Sequence, residues 1–204
     1  RIQPLSAGDV EIHLHDSRLL AGNLAGDPQL RELPIFVPHL ARDDARVPVI
    51  FLLIGFTGNG KEYFDDHPWR RGVVLEYDAA LSAAKLPPAI LVLPNAFTRY
   101  GGSQYVDSAY LGPYASYVAE ELTAFVETRA PALAGRRGVI GKSSGGVGAL
   151  HLAMRHPGAF VAAASISGDA GFEGCHAPAF WELARTLVAY DGDARRFLDE
   201  FLAK

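Results

Sequence analysis

The sequence predicts a three-layer α/β fold, a mostly parallel sheet with helices on both faces, and three observations carry it. Short apolar runs alternate with segments of helical period along the chain. One run, Val49-Ile50-Phe51-Leu52-Leu53-Ile54, is apolar without a break, as a strand covered on both faces must be. A glycine-rich turn joins another such run to a helical segment at residues 138–155, the strand–turn–helix unit from which parallel sheets are built.

The elements follow in order. Val10-Glu11-Ile12-His13-Leu14-His15 alternates, and Leu33-Pro34-Ile35-Phe36-Val37 comes next, so these two are expected to form an antiparallel edge. After the strand at 49–54, Ala89-Ile90-Leu91-Val92-Leu93 repeats its signature and stops at Pro94. Residues 114–128 place Tyr117, Val118, Leu122 and Phe125 at helical spacing. Gly138-Val139-Ile140 is the next strand, the helix 146–155 carries Val147, Leu150, Leu152 and Met154, and residues 160–166 read as a further strand. Two more helices are expected at 180–190, broken by Asp191-Gly192-Asp193, and at 194–202. The last of these runs almost to Lys204 without a stop signal, so a chain that continues further is expected. No internal repeat or interdomain linker is visible.

Composition removes several function classes. With 49% hydrophobic and 21% charged residues, 204 residues can bury one sizeable core. A net charge of −4 with interspersed signs lacks the basic footprint that nucleic acid or an anionic membrane surface requires. The longest apolar stretch, at 47–54, contains Pro48 and ends at Gly55, well short of the ~20 residues of a membrane span. Cys175 is the only cysteine, which excludes an internal disulfide framework and a multi-cysteine zinc site and leaves the compartment open.

The chemistry is concentrated at Gly141-Lys142-Ser143-Ser144-Gly145-Gly146, a Gly-x-Ser-x-Gly turn between a strand and a helix. This is the context of a nucleophile elbow. A serine in so tight a turn takes a strained backbone conformation, and side chains at 141 and 145 would collide with the neighbouring strand and helix. Ser143 Oγ is thereby lifted above the sheet edge, and the amide of Ser144, at the start of the helix, can donate to a developing oxyanion. Ser144 is a poorer nucleophile candidate because it lacks a glycine two positions before it. A second glycine-rich loop, Gly55-Phe56-Thr57-Gly58-Asn59-Gly60, leaves the carboxyl end of the first buried strand, where open α/β sheets place their ligands. The amide of Phe56 is the expected second oxyanion donor.

The same loop, extended to Lys61, falls one residue short of a phosphate-binding P-loop. Glu62 decides against that reading, because it puts a carboxylate where a hydroxyl must ligand Mg²⁺.

These residues resemble the esterase family of α/β hydrolases that includes esterase D, feruloyl esterases and the mycobacterial mycolyltransferases. The resemblance runs through 48–60, Leu93-Pro94-Asn95, Arg99-Tyr100-Gly101-Gly102-Ser103 with Tyr105, Glu120-Glu121-Leu122, and 141–160 including His156-Pro157. It implies the α/β-hydrolase fold, a serine carboxylesterase acting on small-molecule esters, Ser143 as nucleophile, and the amides of Phe56 and Ser144 as oxyanion donors, with no metal or organic cofactor. The chain departs from many relatives at Ile54, where they have histidine, and at Asn95, where they have aspartate.

In this family the catalytic acid and histidine follow on loops after two further strands, in the order Ser, acid, His. Residues 144–204 read as helices around one strand, so a single domain over 1–204 is expected to lack the strands that carry them. His151 stands ~12 Å along the same helix from Ser143 and His156 further still, too far to act as its base. Asp169 and His176, after the strand at 160–166, are the in-chain candidates for acid and base, or else a loop cap and an entrance residue. Trp69, Tyr100, Tyr105 and Trp181 are candidates for an aromatic substrate wall or for rim and core packing. A non-catalytic binding module on the same fold stands as the alternative, since fold alone does not fix function.

Overall fold

A strand apolar on both faces belongs at the middle of a sheet, and the 49–54 run lies there. In the computed structural model, which describes residues 2–42, 47–67, 69–128 and 136–203, seven strands form one sheet. They are β1 (Ile2–Pro4), β2 (Gly8–Asp16), β3 (Leu30–Pro38), β4 (Val49–Leu53), β5 (Ile90–Val92), β6 (Arg137–Lys142) and β7 (Ala162–Ile166), in the spatial order β1-β2-β3-β5-β4-β6-β7. The chain divides into two units, Arg1–Gly168 and Asp169–Lys204. The first contains the whole sheet.

Strands β5, β4, β6 and β7 run parallel, while β1, β2 and β3 are antiparallel to their neighbours. The expected antiparallel pair is present as β2 and β3, in register from Gly8↔Pro38 to Asp16↔Leu30. The antiparallel part is one strand larger than the sequence suggested, because Ile2–Pro4 adds itself beside Asp9–Glu11.

Alternation along β4 explains its uninterrupted hydrophobicity. Val49, Phe51 and Leu53 enter one core layer with Tyr117, Leu122 and Leu152, while Ile50 and Leu52 enter the other with Val74 and Leu81. The first layer is closed by α2 (residues 114–127) and α3 (Ser144–Arg155), the second by α1 (Val73–Ser82). The middle of α2, Tyr117–Leu122, winds as a π-helix, a form that occurs mostly as single-turn insertions in α-helices.

Helix α1 was not legible in the sequence, and its packing shows why. Its buried face is Val74, Leu75, Asp78 and Leu81, so a carboxylate occupies an apolar position of the helical pattern. Asp78 is there to accept hydrogen bonds from the amides of Ser6 (3.1 Å) and Ala7 (2.8 Å) in the turn between β1 and β2.

The second unit holds α4 (Phe172–Cys175), α5 (Ala177–Val188) and α6 (Ala194–Leu202). Pro178 sits in the first turn of α5, and the Asp193 carboxylate caps α6 by accepting from the amides of Arg195 (2.9 Å) and Arg196 (3.1 Å). Among the described residues no helix is long and apolar enough to cross a membrane.

Candidate active site

Strand β4 leads on to α1 on one face of the sheet, and its neighbour β6 leads to α3 on the other. Loops that diverge in this way leave a crevice at the carboxyl ends of the two strands. A groove of about 590 Å³ opens at this point, with Gly55, Phe56, Gly141 and Ser143 at the strand ends and Leu52 and Ile140 on its apolar floor.

Ser143 occupies the turn between β6 and α3 with φ 56° and ψ −123°, a backbone conformation that L residues rarely adopt. The flanking glycines are forced by contact. A Cβ on Gly141 would lie 2.1 Å from the Gly145 carbonyl oxygen, and one on Gly145 would lie 2.2 Å from that of Leu53. The serine backbone is pinned on both sides: its amide donates to Ile166 O (3.0 Å), and its carbonyl accepts from Gly146 N (2.8 Å) and Val147 N (3.1 Å). Its half-buried side chain makes no hydrogen bond among the described residues. Ser144, by contrast, is 1% exposed, and its hydroxyl donates to Gln104 Oε1. That hydroxyl is therefore engaged away from the reacting centre, and only the Ser144 amide is left to donate.

The two expected oxyanion donors share one property. Neither the amide of Phe56 nor that of Ser144 donates to an acceptor among the described residues. Phe56 lines the groove with Ser143, and Gly55 is close enough that a Cβ on it would stand 3.7 Å from the Ser143 Cβ.

The Phe56 loop is held by residues the sequence reading did not single out for that task. Tyr63 donates to Leu53 O and Tyr105 to Ile54 O, each at 3.0 Å. Burial, with the Glu62 carboxylate adding to it, pushes the Tyr63 phenol up to about 12, so it stays a neutral donor. Burial raises Tyr105 further still. Gly101 and Gly102 lie directly on Phe56: a Cβ on Gly102 would be 2.4 Å from the Phe56 carbonyl oxygen, and one on Gly101 would meet its ring at 2.8 Å. The Tyr-Gly-Gly-Ser pattern carried that signal, since paired glycines often mark a close backbone approach.

The segment from Gly55 to Lys61 runs into a five-residue 3₁₀ turn, Gly60–Phe64. Glu62, the residue that spoiled the P-loop pattern, closes a capping box by accepting from the Asn59 amide (3.0 Å), while Asn59 Oδ1 accepts from Lys61 N (3.0 Å). The Lys61 ammonium pairs with Glu32.

The remaining candidates of the first unit do not line the groove. His156 faces Glu120 at 3.4 Å, and burial lowers the affinity of His151 for a proton, with Arg155 adding to it. Asp169 and His176 belong to the second unit, as does the exposed Trp181. Trp69 is 90% exposed, Tyr100 shares a hydroxyl contact with Tyr110 (3.1 Å), and Tyr105 is a core residue. Among the described residues, the aromatic groups that line the groove are Phe56 and Tyr63. Among the described residues no three His, Cys, Asp or Glu side chains gather as a metal site would.

The family described as "Putative esterase" matches residues 31–192. The chain belongs to this esterase family. The span takes in the strand β4 loop, the Tyr-Gly-Gly-Ser segment and the Ser143 turn. Among solved structures, the esterase chain is similar to a ferulic acid esterase (22% identity, TM-score 0.61, 79% of this chain and 60% of that one). It is similar also to an S-formylglutathione hydrolase from Agrobacterium tumefaciens (22%, 0.58, 78% and 58%). A third is a fluorophosphonate-binding serine hydrolase of Staphylococcus aureus (17%, 0.60, 80% and 58%). At these identities the likeness establishes an α/β-hydrolase fold, of which this chain spans about 60% of the neighbours' length. No curated protein sequence matches it.

Proposed function

We propose that this chain carries the nucleophile and oxyanion site of a serine esterase that cleaves small-molecule carboxylic esters. The single observation that supports it best is the convergence at one groove of a strained Ser143 and the Phe56 loop, the Ser143 hydroxyl and the Phe56 amide both unpaired among the described residues. Ser143 Oγ attacks the ester carbonyl carbon, and the carbonyl π electrons move to oxygen, where the amides of Phe56 and Ser144 receive the charge. Collapse of that intermediate expels the alcohol, which carries off the proton given up by the Ser143 hydroxyl, and leaves an acyl group on Ser143; water then attacks the acyl carbon, releasing the carboxylic acid and returning a proton to Ser143 Oγ. The apolar groove floor at Leu52 and Ile140 suits a hydrocarbon portion of the substrate. The names of the structural neighbours, esterases and a serine hydrolase among them, agree with this class of reaction.

The proposal includes one hydrolase domain to which these 204 residues belong and whose acid and histidine lie outside them. Within the described residues His13, His15, His39 and His156 stand against Glu11, Glu121, Asp9 and Glu120, none of which lines the groove. The neighbours have the additional length such a histidine needs.

Labelling of the intact protein with a fluorophosphonate probe tests the reading. The wild type is expected to label, and Ser143→Ala to lose the label completely while keeping its melting temperature. A wild-type protein that takes no probe, or a Ser143→Ala protein that still takes it, overturns the proposal.

A further inference from the structure

Residues 103–105 form a turn that touches both halves of the proposed oxyanion site, and nothing in the Gly-x-Ser-x-Gly pattern announces it. Gln104 and Tyr105 have φ of 56° and 54°, two consecutive side-chain-bearing residues in the left-handed region that favours glycine. Such a conformation persists only where the surroundings hold it. Here they do: Ser103 N donates to Ala96 O (3.1 Å), and Ser103 Oγ accepts from the Tyr105 amide (3.2 Å). The Tyr105 ring is buried against α3 at Gly148, where a Cβ would come within 2.5 Å of it.

The reversed turn sends the two side chains to different targets. Gln104 Oε1 accepts from the hydroxyl of Ser144, the residue whose amide is one proposed donor. Tyr105 OH donates to the carbonyl of Ile54, which shares a peptide plane with the Gly55 amide and lies one peptide before the Phe56 amide that is the other. A peptide plane is rigid, so fixing the Ile54 carbonyl fixes the Gly55 amide with it and narrows the directions open to the next plane, which carries the Phe56 N–H.

We propose that Gln104 and Tyr105 are positioning residues that brace the two oxyanion donors relative to each other, with Tyr105 aiming the Phe56 amide and Gln104 holding Ser144. This rests on the serine-esterase reading for its catalytic consequence, but its structural content stands without it. Gln104 and Tyr105 touch no substrate. Their effect falls on the rate of the chemical step, because the oxyanion forms only as that step proceeds.

The decisive variant is Tyr105→Phe, which keeps the ring on Gly148 and deletes only the hydroxyl; Gln104→Ala tests the other arm. Tyr77→Phe is the control, since it removes a comparable phenol-to-carbonyl bond, Tyr77 OH to Pro87 O (2.7 Å), on α1. In ¹⁵N-labelled intact protein the Gly55 and Phe56 amide resonances are expected to shift in Tyr105→Phe and the Ser144 amide in Gln104→Ala, with none of the three moving in Tyr77→Phe. With p-nitrophenyl acetate, kcat in Tyr105→Phe is expected to fall about tenfold with KM within about twofold, the pattern of an interaction made in the transition state. An unshifted Phe56 amide in Tyr105→Phe, or a kcat loss no larger than that of Tyr77→Phe, overturns the brace. If the wild type neither cleaves the ester nor takes a fluorophosphonate, the esterase reading fails by itself, and the amide resonances still decide the brace.

Discussion

Two regions of the first unit handle polar groups in opposite ways. On the flank where β2 and β3 meet α2, polar side chains are buried and mostly tied to partners, although Arg31 Nε, Asp27 Oδ2 and Tyr117 OH have no hydrogen-bond partner among the described residues. Arg31, 4% exposed, donates to Phe97 O (2.7 Å) and Tyr114 OH (2.5 Å). Glu121 accepts from Ser17 Oγ and from the Arg18 amide (2.7 Å), and Asp27 accepts from the Arg99 amide (2.7 Å). In the crevice at the ends of β4 and β6, the Phe56 and Ser144 amides and the Ser143 hydroxyl have no partner among the described residues. An unpaired group that faces a groove can be satisfied by water and later by a ligand, whereas one in the interior costs free energy. Pairing therefore supports the fold on one side, and its absence leaves donors for chemistry on the other.

The contrast can be broken most severely at the turn itself. Gly141→Ala places a methyl 2.1 Å from the Gly145 carbonyl oxygen, backbone that cannot move without dragging α3 off β6. It is expected to cost about 3 kcal/mol or more and to abolish fluorophosphonate labelling, read by thermal unfolding and by labelling of the fraction that remains folded. A variant that labels at the wild-type rate would show that the turn does not depend on that contact.

On the paired flank, Arg31→Met should cost about 2–3 kcal/mol, because it leaves the buried Tyr114 OH without its donor and takes one from Phe97 O. The urea midpoint should fall while the labelling rate of the folded protein is unchanged. Equal loss of stability and labelling rate would mean that the two regions are not separable.

A smaller effect is expected at the capping box below the Phe56 loop. Asn59→Ala removes the acceptor for the Lys61 amide and should cost about 1 kcal/mol. The change lies four residues from Gly55, so the labelling rate is the sharper readout. A fall in labelling greater than the fall in stability would extend the bracing of the loop to its far end.

The parts of this arrangement that were legible in the sequence are those fixed by contacts that are obligatory for the backbone. β4 was visible because both its faces are covered, and Ser143 was visible because Gly141 and Gly145 have no room for a side chain. Helix α1 was hidden by the buried Asp78, whose partners are amides 71 and 72 residues away. Tyr63 and Tyr105 were hidden for a similar reason. A tyrosine reads as apolar in any local pattern, and nothing near Tyr105 in sequence says that its hydroxyl will meet the Ile54 carbonyl, 51 residues earlier. The π-helical turn within α2 was equally invisible, since residues 114–128 keep their apolar residues at ordinary helical spacing.

The gentlest probe is pH, through His151 on α3. Burial is the main cause that holds its pKa below the ordinary imidazole value, Arg155 and His156 push the same way, and Asp107 opposes them. The unfolded chain therefore takes up a proton at this site at a higher pH than the folded one. Stability rises with pH wherever the unfolded state binds more protons. It should thus decline as pH falls from about 6.5, the ordinary value, towards the lowered folded value, and level off below it. His151→Gln removes this contribution, so the gap in urea midpoint between variant and wild type should move in favour of the variant between pH 7.5 and pH 5. The same gap at both pH values would mean that the imidazole is as free to take a proton in the fold as in water, and that the α3 surface around His151 is wetter than its packing implies.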